Sequence, residues 1–133
     1  MQASVYEGGG AITILLIDDS ASVARLFSHM LQISDYADAP FVHLSSVEDA
    51  EDYLSGSEDV GVILLDNRLP PFRRFDIPLQ RLRRLTTAPI YLFTATELEE
   101  LGFDEPPAGL NGYFSKNELK PETLNAFLKR VLG

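Results

Sequence analysis

Residues 60–70, VGVILLDNRLP, constrain this chain more than any other stretch. Gly61 to Leu65 run without a polar break and stop abruptly at Asp66. A short apolar run bounded by charge and proline predicts a strand buried on both faces, as in parallel sheets covered by helices. Asp66 then stands at the carboxyl end of that strand, where open α/β sheets gather their ligands and chemistry. Taken alone, Asp66 reads better as an ordinary turn residue, with Asn67 and Pro70 as turn formers. A second run of the same kind shifts the balance, because Ile12 to Ile17 ends in Asp18-Asp19. Two buried strands that bring three carboxylates to one sheet edge carry a like-charge cost unless a cation sits among them.

The rest of the chain supplies the helices that such a sheet needs. Ser20 is a candidate N-cap for an amphipathic helix to about Ile33, with Val23, Leu26, Phe27, Met30 and Leu31 at helical spacing. His29 lies off that stripe and reads as a solvated residue. Phe41–Leu44 predicts a second strand, and Ser46–Leu54 a helix closed by Gly56, whose acids Glu48, Asp49, Glu51 and Asp52 read as a wet face. Beyond the central strand, a helix is expected near Ile77–Leu85 with Asp76 as its cap. IYLFT predicts a fourth strand that ends at Thr94. A weak helix at Ala95–Leu101 is cut short by FDEPPAG, a fifth strand spans Asn111–Lys116, and Pro121 opens a last helix striped by Leu124, Phe127, Leu128 and Val131. Five strands alternating with five helices predict a parallel sheet with right-handed crossovers.

Residues 1–10 read as a flexible leader. Gly8-Gly9-Gly10 precedes the first strand instead of following it, and no GK[ST] follows, so it is no phosphate loop. Residues 11–133 fill one domain and leave no room for an output domain, so a stand-alone single-domain type is expected. The composition, 45% hydrophobic and 23% charged, is that of a soluble globular protein. No apolar stretch approaches the ~20 residues needed to span a bilayer. The absence of cysteine excludes a disulfide framework, a thiol nucleophile and cysteine-based metal sites. A cytoplasmic protein is expected.

Strand ends thus bring Asp18, Asp19, Asp66, Thr94 and Lys116 to one edge. Asp19 and Asp66 are hard oxygen ligands suited to Mg²⁺. Asp66 is also a candidate nucleophile for an aspartyl phosphate. Lys116 suits a point charge on phosphoryl oxygens, and Thr94 a hydroxyl donor to them. Carboxylate attack on phosphate is opposed by mutual repulsion, so a divalent cation and an ammonium are the companions it requires.

LLIDDS, VILLDNRLP, PIYLFTAT and GYFSK together resemble the receiver domain of two-component response regulators, over roughly residues 11–132. The resemblance implies a doubly wound, flavodoxin-like α/β fold, its five-stranded parallel sheet ordered 2-1-3-4-5 with five helices. It implies that Asp66 accepts a phosphoryl group from a histidine kinase or a histidine phosphotransfer protein. Asp18, Asp19 and Asp66 would hold Mg²⁺, helped by the backbone carbonyl of Arg68. Thr94, Lys116 and the backbone of Ala95 would contact the phosphoryl group, and Thr94 with Tyr113 would form a switch. Such a domain is a phosphoacceptor, not an enzyme, with at most self-phosphorylation and self-dephosphorylation. Its signal would pass by contact to a downstream target protein, with no nucleic acid and no membrane. Asn117 stands where the family usually has a cis proline, and because a non-proline cis bond costs ~3–4 kcal/mol, a trans, reshaped loop is expected there. FRRFDIP replaces the family's Asp-Gly after the phosphoacceptor loop, and Pro106-Pro107 follows the weak fourth helix.

Rival readings fit less well. A haloacid-dehalogenase-type phosphatase needs a second acid two residues past its nucleophile, where Ser20 and Arg68 stand. A flavodoxin-like nucleotide binder needs a Gly-rich loop after the first strand. The remaining alternative is a receiver-like adaptor that binds proteins independently of phosphorylation.

Charge adds one more expectation. The chain carries a net −9, yet segment 68–84 holds six arginines and one aspartate, a balance of +5, so the remainder carries −14. The net charge argues against general nucleic-acid binding. Phe72, Arg73, Arg74, Phe75 and Arg81 form a candidate partner patch, since aromatics interleaved with arginine are typical interface anchors.

Overall fold

The computed structural model describes residues 12–56, 59–96, 98–102 and 107–133, without the side chains of residues 98 and 99. The expected leader at 1–10 lies outside the described residues, as does Pro106. The elements run β1 (Thr13–Ile17), α1 (Ala21–Ile33), β2 (Phe41–Leu44), α2 (Val47–Ser55), β3 (Val60–Leu65), α3 (Asp76–Arg83), β4 (Ile90–Thr94), α4 (Leu98–Leu101), β5 (Gly112–Ser115) and α5 (Pro121–Leu132). The strands pair in parallel in the order β2-β1-β3-β4-β5.

The unbroken apolar runs have a direct structural cause. Every residue of β1 is buried, and so are the last four of β3. Alternate side chains enter two separate cores. Ile14, Leu16, Val62, Leu64 and Phe93 face α1 and α5, while Leu15, Ile17, Ile63, Leu65 and Leu92 face α2 and α3. Both faces being covered, neither needs polar residues. Truncating a central side chain such as Leu64 to alanine is expected to cost ~2–5 kcal/mol.

Helix starts follow side-chain chemistry where the sequence offers it. Ser20 Oγ accepts from Val23 N at 3.2 Å, and Ser46 Oγ accepts from Asp49 N at 3.1 Å. Asp76 does not cap α3: Phe75 holds that position with no side-chain cap bond, and Asp76 is the first helical residue, paired with Arg74 at 2.8 Å. Gly56 caps α2 at a φ of −115°, where any residue would serve. The weak fourth helix is a single turn. Lys116 belongs to a 3₁₀ turn, Lys116–Glu118, and not to β5. Among the described residues no helix is long and apolar enough to cross a membrane.

Candidate functional site

Register puts the acids side by side. Ile17 and Leu65 are partners across β1 and β3, and Asp66 N donates to Ile17 O at 2.9 Å, so Asp18 and Asp66 leave neighbouring strands at one level. Asp18 is fully buried, Asp66 is buried at 8% exposure, and Asp19 is exposed. One carboxylate oxygen from each of the three lies within 4.8 Å of the other two. Thr94 pairs with Ser115 across β4 and β5, which sets Lys116 one step further along the same edge. From there its ammonium passes 5.5 Å from the Phe93 ring centre to reach Asp18 Oδ2 at 2.7 Å and Asp66 Oδ1 at 3.1 Å.

Three carboxylates around one ammonium leave the site under-compensated. Burial, and then the charge of Asp18, push the Asp66 carboxyl up to about 6 against the pull of Lys116. Burial lowers the Lys116 ammonium, but hydrogen bonding to Asp18 and the charges of both aspartates outweigh it, and the net shift is upward. Asp18 is fully buried, and its Oδ2 is answered by the 2.7 Å ion pair with Lys116. Three carboxylates that share one ammonium form a cluster of hard donors that suits a small divalent cation. The donor set therefore fits Mg²⁺.

The remaining expected residues fall around this cluster. Thr94 is buried, and its hydroxyl accepts from Thr96 N at 3.1 Å. Tyr113 is half-buried, and its hydroxyl donates to Thr96 O at 2.9 Å, so the threonine and the tyrosine grip one loop residue. Ala95 and the Arg68 side chain are exposed at the rim. The peptide after Lys116 is not cis. Instead Asn117 Nδ2 donates to Ala95 O at 3.2 Å, tying the loop after β5 to the loop after β4. Sequence reasoning missed one participant. His43 Nε2 lies 2.6 Å from Asp18 O, linking the end of β2 to the Asp18–Asp19 turn. The carbonyl only accepts, so Nε2 carries the proton. A histidine at the end of an apolar strand was the available signal.

The arginine patch does not survive as drawn. Phe75 is 1% exposed and packs in the core with Leu79 and Leu82, so it is no surface anchor. Arg81 is held by Glu51 at 2.9 and 2.5 Å, with Glu48 at 3.7 Å, and Arg74 pairs with Asp76. Arg83 donates to the carbonyls of Ala88 and Gly109 and to Asn111 Oδ1, all within 2.8 Å. Phe72 is half-buried with the Arg81 guanidinium 5.6 Å from its ring centre, and Arg73 is exposed.

The order of the sheet and the acids at its edge agree with a comparison to known families: the response regulator receiver domain model matches residues 14–129. The chain belongs to that family. No curated protein matches it. A two-component response regulator from Clostridium difficile is 21% identical, covers 91% of this chain and 95% of its own, and gives a TM-score of 0.73. A CheY-like receiver domain protein from Methanospirillum hungatei is 19% identical over 92% and 94%, with a TM-score of 0.71. The BeF3-activated receiver domain of DrrB is 26% identical over 92% and 97%, with a TM-score of 0.66.

Proposed function

We propose that this receiver domain accepts a phosphoryl group on Asp66, from a histidine kinase or a histidine phosphotransfer protein, and signals by protein contact. The observation that carries the reading is the under-compensated cluster of Asp18, Asp19 and Asp66 against Lys116. An adaptor indifferent to phosphate has no use for three carboxylates gathered at one sheet edge around a single ammonium. Asp18, Asp19, Asp66 and the Arg68 carbonyl would hold Mg²⁺. When bound, the cation neutralises charge on the phosphoryl oxygens and on the attacking carboxylate.

At neutral pH Asp66 is largely ionised, with Lys116 fixing its Oδ1 at 3.1 Å. An Asp66 oxygen attacks phosphorus, the O–P bond forms as the N–P bond of the donor phosphohistidine breaks, and the imidazole leaves with the electron pair and takes a proton. Lys116 and the Thr94 hydroxyl then bind the phosphoryl oxygens, with the backbone of Ala95 at the rim. Thr94 accepts from Thr96 N and keeps its own proton for a phosphoryl oxygen, so a turn toward the phosphoryl group pulls on Thr96, whose carbonyl holds the Tyr113 hydroxyl. Phosphorylation thereby reaches the exposed side of β5 through one residue, which favours its phosphorylated arrangement only by that differential contact. The domain acts as phosphoacceptor, with no turnover beyond its own phosphorylation and dephosphorylation.

Incubation with Mg²⁺ and acetyl phosphate, followed by intact mass, tests this. Wild type should gain one phosphoryl group, Asp66→Asn none, and Thr94→Ala should label yet lose the phosphate-dependent change in Tyr113 environment. Undiminished labelling of Asp66→Asn sinks the assignment.

A further inference from the structure

The loop between β3 and α3 holds two arginines that the fold does not use. Leu69 and Phe75, at 0% and 1% exposure, pin its two ends in the core. Between them Phe72 N donates to Leu69 O at 2.7 Å, closing a turn that lifts Pro70 and Pro71 to the surface. Phe72 is steadied by the Arg81 guanidinium, itself clamped by Glu51. Arg68, Pro70, Pro71, Phe72 and Arg73 line an open cleft of about 440 Å³. Arg68 and Arg73 are exposed and enter no ion pair or hydrogen bond among the described residues, unlike Arg74, Arg81 and Arg83 around them. In a chain of net charge −9 two unpaired guanidinium groups stand over an apolar shelf already held in shape.

We propose that this cleft is a docking site for an acidic segment of a partner protein. One apolar side chain of the segment lies on Pro70, Pro71 and Phe72, and flanking carboxylates meet Arg68 and Arg73. Charge complementarity selects the occupant, because guanidinium pairs carboxylate in a bidentate fork. Pre-organisation lowers the ordering cost of binding. Arg68 is two residues past Asp66, so a docked partner stands beside the phosphoacceptor; that consequence rests on the proposed function, whereas the docking does not.

The probe is a fluorescent peptide, Glu-Glu-Leu-Glu-Glu, with Gln-Gln-Leu-Gln-Gln and Glu-Glu-Gly-Glu-Glu as comparators, titrated by anisotropy in ~50 mM and ~500 mM salt. Wild type should bind the acidic leucine peptide about tenfold more tightly than either comparator, and Arg68→Glu/Arg73→Glu should lose about tenfold in affinity. A control reversal on the opposite face of the sheet, Lys129→Glu/Arg130→Glu, should bind as wild type. Circular dichroism melts confirm that each variant is folded, and Arg68→Gln/Arg73→Gln replaces the reversal if it is not. Equal loss in both reversals reduces the effect to bulk charge and overturns the site. Self-association of wild type that the same variant abolishes, without peptide binding, assigns the cleft to a second copy and also overturns it. Acetyl phosphate labelling of wild type, measured alongside, reports on the phosphoacceptor site, so failure there leaves the binding result standing.

Discussion

Two regions of this molecule concentrate charge, and they treat it in opposite ways. At the sheet edge Asp18, Asp19 and Asp66 face one ammonium, and two of the three acids are buried. Segment 68–84 carries six arginines, and three of them are answered: Arg74 by Asp76, Arg81 by Glu51, Arg83 by carbonyls and Asn111. By local count the second region looks the more imbalanced. The first is the one whose chemistry is incomplete without a ligand. Charge density along a chain says little until burial and partners are known, because solvent and neighbours settle exposed charge cheaply.

Removing the single cation from the first region should have the largest effect on stability. Lys116→Met leaves Asp18 buried without its 2.7 Å partner. Breaking a buried pair costs ~3–5 kcal/mol, so denaturant unfolding of the metal-free variant should show a loss of that order. Added Mg²⁺ should recover part of it, since a divalent cation answers the same carboxylates. A variant as stable as wild type without metal would mean that the cluster is not under strain.

Acidity sharpens the contrast further. Asp66 titrates at about 6, above the usual carboxylate range. A raised acid favours the fold while protonated, so its contribution is present below about pH 4 and is lost as pH rises through about 6. Stability of metal-free wild type relative to Asp66→Asn should therefore fall over that window, and saturating Mg²⁺ should flatten the fall. Mg²⁺ competes with the same proton, so its affinity should drop about tenfold per unit below pH 6. A difference curve without slope between pH 4 and pH 6 would break the reading.

A smaller effect is expected at His43. Its bond to Asp18 O holds the turn that presents Asp18 and Asp19. His43→Ala should cost about 1 kcal/mol and weaken Mg²⁺ binding a few-fold in calorimetric titration. His43→Gln keeps a donor and should restore most of the metal affinity. Equal affinities in all three proteins would reduce His43 to packing.

The sheet was legible because buried parallel strands read as continuous apolar runs, and the run Gly61–Leu65 differs from the observed β3 by one residue. Strand ends carried Asp18, Asp66, Thr94 and Lys116 to one edge for the same reason. What escaped was whatever depended on partners far away in sequence. Arg81 meets Glu51 across 30 positions, and His43 meets Asp18 across 25. Phe75 belongs to a core because of how the loop folds back, and its neighbours Arg73 and Arg74 advertise a surface. Asp76 looked like a cap because acids favour helix starts, but its carboxylate is taken by Arg74.

The smallest predicted effects lie within the second region, and they separate its answered arginines from the unanswered ones. Arg81 and Glu51 are each about 30% exposed and meet through two bonds that join α2 to α3. The guanidinium holds the Glu51 carboxyl below its usual range, largely by that hydrogen bond. Solvent-screened pairs of this kind contribute modestly, and Arg81→Gln also loosens the contact that steadies Phe72, so this variant should be less stable than wild type. Arg73→Gln removes no ion pair or hydrogen bond among the described residues and should leave stability within ~0.5 kcal/mol of wild type. The Arg81 loss should shrink in high salt and as pH falls below the Glu51 titration, because the stabilisation from a lowered carboxyl is present above its unfolded value and lost below it. Urea unfolding of the two variants at low and high salt decides the matter. Equal stability in both would mean that the Arg81 clamp contributes nothing, and that the two kinds of arginine differ only in the crowding around them.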